Sequence, residues 1–222
     1  MCIEIFLNKI KSKYFGILGI LFCQIAIMIA YLKYITIDPT FSLFTNFGSD
    51  LGIGPNGSDI IFRIGMVFTG IIYIPYILTI ILFLKKKSKD QKFINLISIL
   101  LFIQIIGVSI SGLFPFDKKQ PIVFQIHIIS VIMLFGLGAI GHSLIGFKMS
   151  KISNIRSLSY VYYVSAIPMG FFTSIFLVET YFFNRYQTIT FLSEWISYIL
   201  IIICILLTSI YFLHIKLDLS KD

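Results

Sequence analysis

The sequence predicts an all-α fold: a polytopic membrane protein with six transmembrane helices in one bundle and both termini cytoplasmic. Two observations predict it. Of the 222 residues, 58% are hydrophobic and 13% are charged, where an ordinary soluble domain carries about 25% charged residues; the mean hydropathy is +0.96. Six windows, residues 14–32, 64–84, 93–116, 120–147, 157–178 and 195–215, hold no Asp, Glu, Lys or Arg, and each approaches or exceeds the roughly 20 residues that cross a hydrocarbon core. An open sheet edge cannot sit in lipid, so the windows read as helices.

The expected spans are residues 14–34, 60–84, 93–114, 121–147, 157–183 and 191–214. The first apolar run is longer than a signal-peptide core and no A-x-A cleavage site follows it, so it is retained as a span. Pro75 in span 2 and Pro168 in span 5 are expected to kink their helices. What remains is short connections, leaving no room for a separate soluble domain, so residues 1–222 form a single membrane domain. No internal repeat is visible. The one long connection, residues 35–58, is rich in the turn formers Gly, Pro, Asn and Ser. It also carries Phe41, Leu43, Phe44 and Phe47. Those apolar residues are out of place in a solvated loop, so the loop is expected to fold back over the mouth of the bundle.

Charge sets the orientation. Thirteen Lys and Arg lie on the side of the two termini, including the run Lys85, Lys86, Lys87, Lys89 and Lys92. Four (Lys33, Lys118, Lys119 and Arg185) lie on the other side, with Arg63 assigned to neither. Basic loops stay in the cytoplasm, which places both termini inside. The net charge of +8 therefore reads as a topology signal and an attraction to anionic lipid, not as a nucleic-acid site. In a prokaryote the expected location is the plasma membrane. Cys2, Cys23 and Cys204 are scattered, which supports neither a disulfide framework nor a zinc ribbon; Cys2 is a candidate for lipidation. No cofactor and no metal are expected.

Polar side chains within or beside a span are costly and therefore informative. Asp50, Asp59, Arg63, Asp117, His127, Glu179 and Glu194 all fall at the level of the outer leaflet, which suggests one outward-facing ligand site. Each has an ordinary reading as well: Arg63 snorkelling or paired with Asp59 four residues earlier, His127 as a helix-packing residue, Glu179 and Glu194 solvated at helix ends. A catalytic version of the site would use His127 as base with Ser49 and Asp50. No GxSxG, HExxH or P-loop is present. His142 is fifteen residues beyond His127, too far along a helix to share a metal with it, and reads as packing.

The run Gly48-Ser49-Asp50-Leu51-Gly52, followed by Pro55 and by Ile60-Ile61-Phe62-Arg63, resembles the Ser-Asp-x-Gly … Pro … Phe stretch of the damage-regulated autophagy modulator (DRAM) and Frag/Sfk-type membrane proteins. Among their prokaryotic relatives, the chain is most similar to the domain of unknown function nine-nine-eight. Gly112-Leu113-Phe114-Pro115-Phe116-Asp117, His127 and Glu194-Trp195 follow in the expected order. The resemblance implies a six-helix bundle with a long first outer loop and a setting among membrane lipids. Three readings follow. The first is a protein that binds or senses membrane lipid through the outer polar site, with Arg63 meeting a phosphate and lipids as its partners. The second is a lipid hydrolase or acyltransferase at the same site. The third, ranked last because the span centres are almost wholly apolar apart from Gln104, is a small transporter.

Overall fold

The computed structural model describes residues 12–183 and 185–214. Cys2, Lys9, Lys11, Lys216 and Lys221, on which the lipidation site and part of the charge asymmetry rest, lie outside the described residues. Six helices are long and apolar enough to cross a membrane: α1 Phe15–Ile35, α2 Ser58–Lys87, α3 Gln91–Leu113, α4 Pro121–Ser150, α5 Ser153–Phe183 and α6 Thr188–His214. Among the described residues there is no strand. Each helix packs on its neighbour in sequence, and α1 closes against α6. The loop between α1 and α2 marks one end of the bundle; Lys85–Lys87 mark the other.

The helices outrun the charge-free windows at the lysine end, where α2 continues through Lys85, Lys86 and Lys87. Cations in a last turn complement the carbonyl end of the helix dipole, so nothing stops the helix there. Pro75 and Pro168 lie inside unbroken helices. Two wide π turns also interrupt the regular hydrogen bonding, Ile132–Gly136 in α4 and Glu179–Phe183 in α5. The first ends at Gly136, and Gly138 and Gly141 follow it; no proline or glycine lies in the second.

The surface is apolar all round, as lipid contact demands: Leu21, Ile99, Ile167 and Phe182 are 53%, 57%, 72% and 80% exposed. Most buried hydroxyls are satisfied locally, because lipid offers no other partner, Ser49 and Ser209 being exceptions. Ser130 donates to the His127 carbonyl and Ser197 to that of Ser193, each at 2.7 Å. An aliphatic core fills the lysine end, with Leu84, Ile94, Ile97, Ile145 and Phe212 fully buried. The loop end holds an aromatic core centred on Phe47.

Phe47 is 2% exposed. Its ring meets those of Phe116, Phe172, Phe176, Tyr186 and Phe191 at centroid distances of 4.5–6.4 Å, mostly edge to face. Such pairs are worth about 0.5–1.5 kcal/mol each beyond burial. The expected fold-back of the loop is thus real, though only part of its apolar set takes part: Phe41 is buried at 6%, while Leu43 and Phe44 remain 46% and 58% exposed. Phe47→Ala should lower unfolding free energy in detergent by about 3–5 kcal/mol. Phe44→Ala should change it by no more than about 0.5 kcal/mol.

Candidate functional site

Three consecutive loop residues are fastened from two sides. The Asn46 carbonyl accepts from Trp195 Nε1 at 3.0 Å. The Phe47 N–H donates to Asp50 Oδ2 at 3.0 Å, and the Gly48 N–H donates to Glu194 Oε2 at 2.8 Å. Asp50 is the third residue of the short 3₁₀ helix Gly48–Ile53, and its side chain reaches back over the start of that helix. Burial pushes the Asp50 carboxyl up to about 6, opposed by its hydrogen bonds from the Phe47 N–H and the Asn46 amide.

The motif residues meet at one place. Gly52 is pressed between α2 and the α3–α4 connection, such that an added Cβ would lie 2.7 Å from Pro115 Cβ and 3.0 Å from Phe62 Cδ1. The Gly52 carbonyl accepts from Arg63 Nε at 3.1 Å. Pro115 ends α3 by disfavouring the α conformation just before it, leaving the Phe114 carbonyl without a helical partner. His127, 3% exposed, supplies one from α4, with Nδ1 2.8 Å from that oxygen. A carbonyl only accepts, so Nδ1 carries the proton, and in the neutral ring Nε2 presents a lone pair.

Beneath the 3₁₀ helix lies a cavity of about 60 Å³ whose polar lining includes Ser49, Ser111, His127, Glu194, Trp195 and Tyr198. Its wall is otherwise apolar, and no Lys or Arg lines it. Ser49 is 6% exposed and its Oγ has no hydrogen-bond partner. The cavity shares Ile27 and Trp195 with a second, apolar groove beside α1, which is walled by Met28, Tyr31, Phe41 and Phe44.

Of the residues singled out in the sequence, the structure brings Ser49, His127 and Glu194 to this cavity and holds Asp50 directly above it. It does not bring the others. Arg63 serves the Gly52 carbonyl and forms no ion pair with Asp59; Asp59 sits in the first turn of α2, where a negative charge suits the helix N-terminus. Asp117 caps its own turn, accepting from the Lys119 N–H and the Gln120 amide, each at 2.9 Å. Glu179 is not solvated. It is 3% exposed and accepts from the Gln187 N–H at 3.1 Å and from the Thr190 hydroxyl, closing the turn that delivers Tyr186 to Phe47. Sequence reasoning missed Tyr198 and Phe47 as site-forming residues. Only the position of Phe47, directly before Gly48-Ser49-Asp50, pointed to it.

The chemistry on offer is acceptor chemistry. Ser49 Oγ and His127 are not in hydrogen-bond contact, so the pair that nucleophilic catalysis needs is not formed. Among the described residues no group of three or more His, Cys, Asp or Glu is placed to hold a metal ion.

Two substitutions probe this frame. Gly52→Ala should lower stability by about 1–3 kcal/mol, since neither a proline ring nor a buried phenyl can yield easily, as thermal unfolding in detergent will measure. Asp50 binds its proton up to about pH 6 in the fold but only to about 3.8 unfolded. Its contribution to stability is complete below pH 3.8 and lost as pH rises through 6. Asp50→Asn, always neutral, should therefore gain in stability relative to the wild type between pH 4 and 7 in the same unfolding experiment.

No curated protein and no solved structure matches this chain. The wider likeness to the DRAM and Frag/Sfk-type proteins rests on the short motifs alone. The family model described as a protein of unknown function, DUF998, matches residues 17–210, from the start of α1 to the last turns of α6, and the chain is therefore an integral membrane protein belonging to the DUF998 family.

Proposed function

We propose that the protein binds an amphiphilic lipid with a primary-amine headgroup, taking the head into the cavity under the loop and the chain into the groove beside α1. The carrying observation is the junction of the two spaces. An acceptor-lined chamber and an apolar groove share Ile27 and Trp195, which matches a molecule that is polar at one end and greasy along the other. By the positive-inside rule the lysine end faces the cytoplasm, which puts the chamber in the outer leaflet of the plasma membrane.

The character of the head follows from what lines the chamber. Glu194, the His127 Nε2 lone pair and the Ser49 hydroxyl all accept hydrogen bonds, and no cation faces them. A headgroup whose only charge is a phosphate would bring that charge with no counter-charge to meet it, and Arg63, its expected partner, is bound to the Gly52 carbonyl. An ammonium group would supply both the counter-charge for Glu194 and donors for the other two. The unpartnered Ser49 hydroxyl adds a reason to fill the chamber, since leaving such a group unmet costs about 1–3 kcal/mol.

Trp195 is the chain's one tryptophan and lies on the wall between chamber and groove, so its fluorescence reports occupancy directly. In vesicles of phosphatidylcholine, phosphatidylethanolamine with brominated chains should quench Trp195 at lower mole fraction than brominated phosphatidylglycerol. Glu194→Gln keeps an acceptor for the Gly48 N–H but loses the charge, and should reduce that preference about tenfold, as expected for one charge-assisted hydrogen bond of about 1.5 kcal/mol. Equal quenching by the two lipids in the wild type would overturn the reading.

A further inference from the structure

The chamber under the loop is not the end of the space inside the bundle. Toward the lysine end four of the helices that line it, α2, α3, α4 and α6, join α5 around a second chamber of about 60 Å³. On α2 the lining passes from Met66 to Tyr73 and Tyr76, and on α3 from Ser111 to Gln104. On α4 it passes from His127 to His142, and on α6 from Tyr198 to Cys204. Leu134 belongs to both linings. It sits on the π turn of α4, backed by Gly107, where an added Cβ would lie 2.8 Å from the Leu134 nitrogen. α3 thus packs closely on α4 at the residue that both chambers share.

The second chamber has its own unmet chemistry. Gln104 is 7% exposed, lines the chamber and makes no hydrogen bond among the described residues. Its amide lies across Gly138, whose added Cβ would come within 2.7 Å of Nε2, so the close approach of α3 and α4 sets its position. Tyr73, Tyr76 and Tyr162 bring three rings to the wall. His142 is engaged through Nδ1 with the Ser165 hydroxyl at 2.7 Å. No Asp, Glu, Lys or Arg lines the chamber. Beyond it the packing is closed by Leu84, Ile94, Ile145, Met149 and Phe212, each 0% exposed. The two chambers adjoin at Leu134.

We propose that the second chamber is a binding site for a small organic ammonium ion, filled from the first chamber past Leu134. The proposal depends on the reading of the first chamber for the charge of the ligand, and on its own geometry for the destination. Ring faces attract an organic cation and the Gln104 carbonyl oxygen accepts its N–H. An anion finds no positive charge there, and a bare divalent cation finds too few oxygens. A function beyond holding a lipid head follows: the protein takes up a free, soluble amine through the outer chamber and lodges it within the bundle.

Cys204 makes the proposal measurable, because it is a thiol on the wall of the second chamber. The full-length chain in phosphatidylcholine vesicles is treated with the cationic reagent 2-(trimethylammonium)ethyl methanethiosulfonate, and the rate of mass gain on the peptide carrying Cys204 is followed. Leu134→Ala should raise the rate several-fold and Leu134→Phe should lower it. Benzylammonium should protect wild-type Cys204 by about tenfold, the scale of a desolvated cation–π contact, and Gln104→Leu should remove most of that protection. Equal rates in the two Leu134 variants, or no protection of the wild type, would overturn the proposal. Cooperative thermal unfolding in detergent, measured on the same preparations, shows that each variant is folded, and headgroup-selective quenching of Trp195 in the wild type reports on the outer site. That quenching separates the two readings. Lost headgroup preference with Leu134-dependent labelling intact overturns the outer site alone; intact preference with Leu134-independent labelling overturns the inner site alone.

Discussion

A carboxyl group two turns inside a membrane helix has to be satisfied by the protein itself, because hydrocarbon offers nothing. Glu194 meets that constraint by accepting the Gly48 N–H from a loop 146 residues away in the chain. The rest of the loop end depends on this contact. It sets the height of the loop over the bundle, so that Trp195 in the next position reaches the Asn46 carbonyl and Phe47 drops into its cage of rings. The chamber exists because the loop is held above the helices at that height, with Ser49 turned into the space and no partner there to meet it.

The short motifs that suggested the family acquire a physical meaning at the same place. Asp50 holds the turn, Gly52 lets the loop pass between Phe62 and Pro115, and Arg63 satisfies the Gly52 carbonyl. Pro115 ends α3, and His127 takes up the carbonyl of Phe114 that the ending leaves free. These residues are scattered over four segments of sequence, yet each answers a backbone group that another leaves unsatisfied. Most of the motif is framework. The groups facing the chamber are fewer: Ser49, one nitrogen of His127, and Glu194.

Fold and depth were legible in the sequence, because lipid imposes them one residue at a time. Any charge in a span shows, and span length follows from the thickness of the bilayer. Rotation about each helix axis was not legible, because these helices are apolar on every side and carry no stripe that says which way they face. Of the seven polar residues expected at one level, only Glu194 and His127 line the chamber, and Asp50 lies in the loop that covers it. Arg63, Asp117 and Glu179 point to backbone groups of their own surroundings. The same blindness hid the inner chamber. His142 and Gln104 looked like isolated polar residues in greasy helices, and nothing in their spacing says that α3 and α4 turn them toward one space.

The wide turn at Ile132–Gly136 has a consequence for how chains of this kind can be compared. A π turn accommodates about one residue more than an α-helical turn does. A chain one residue shorter here would close into regular α-helix while keeping both halves of α4, with His127 on one and His142 on the other, aimed as they are now. Length in a membrane helix is normally fixed by the bilayer, so gaps belong in loops. In this fold a correct alignment of related chains can require one in the middle of the fourth span.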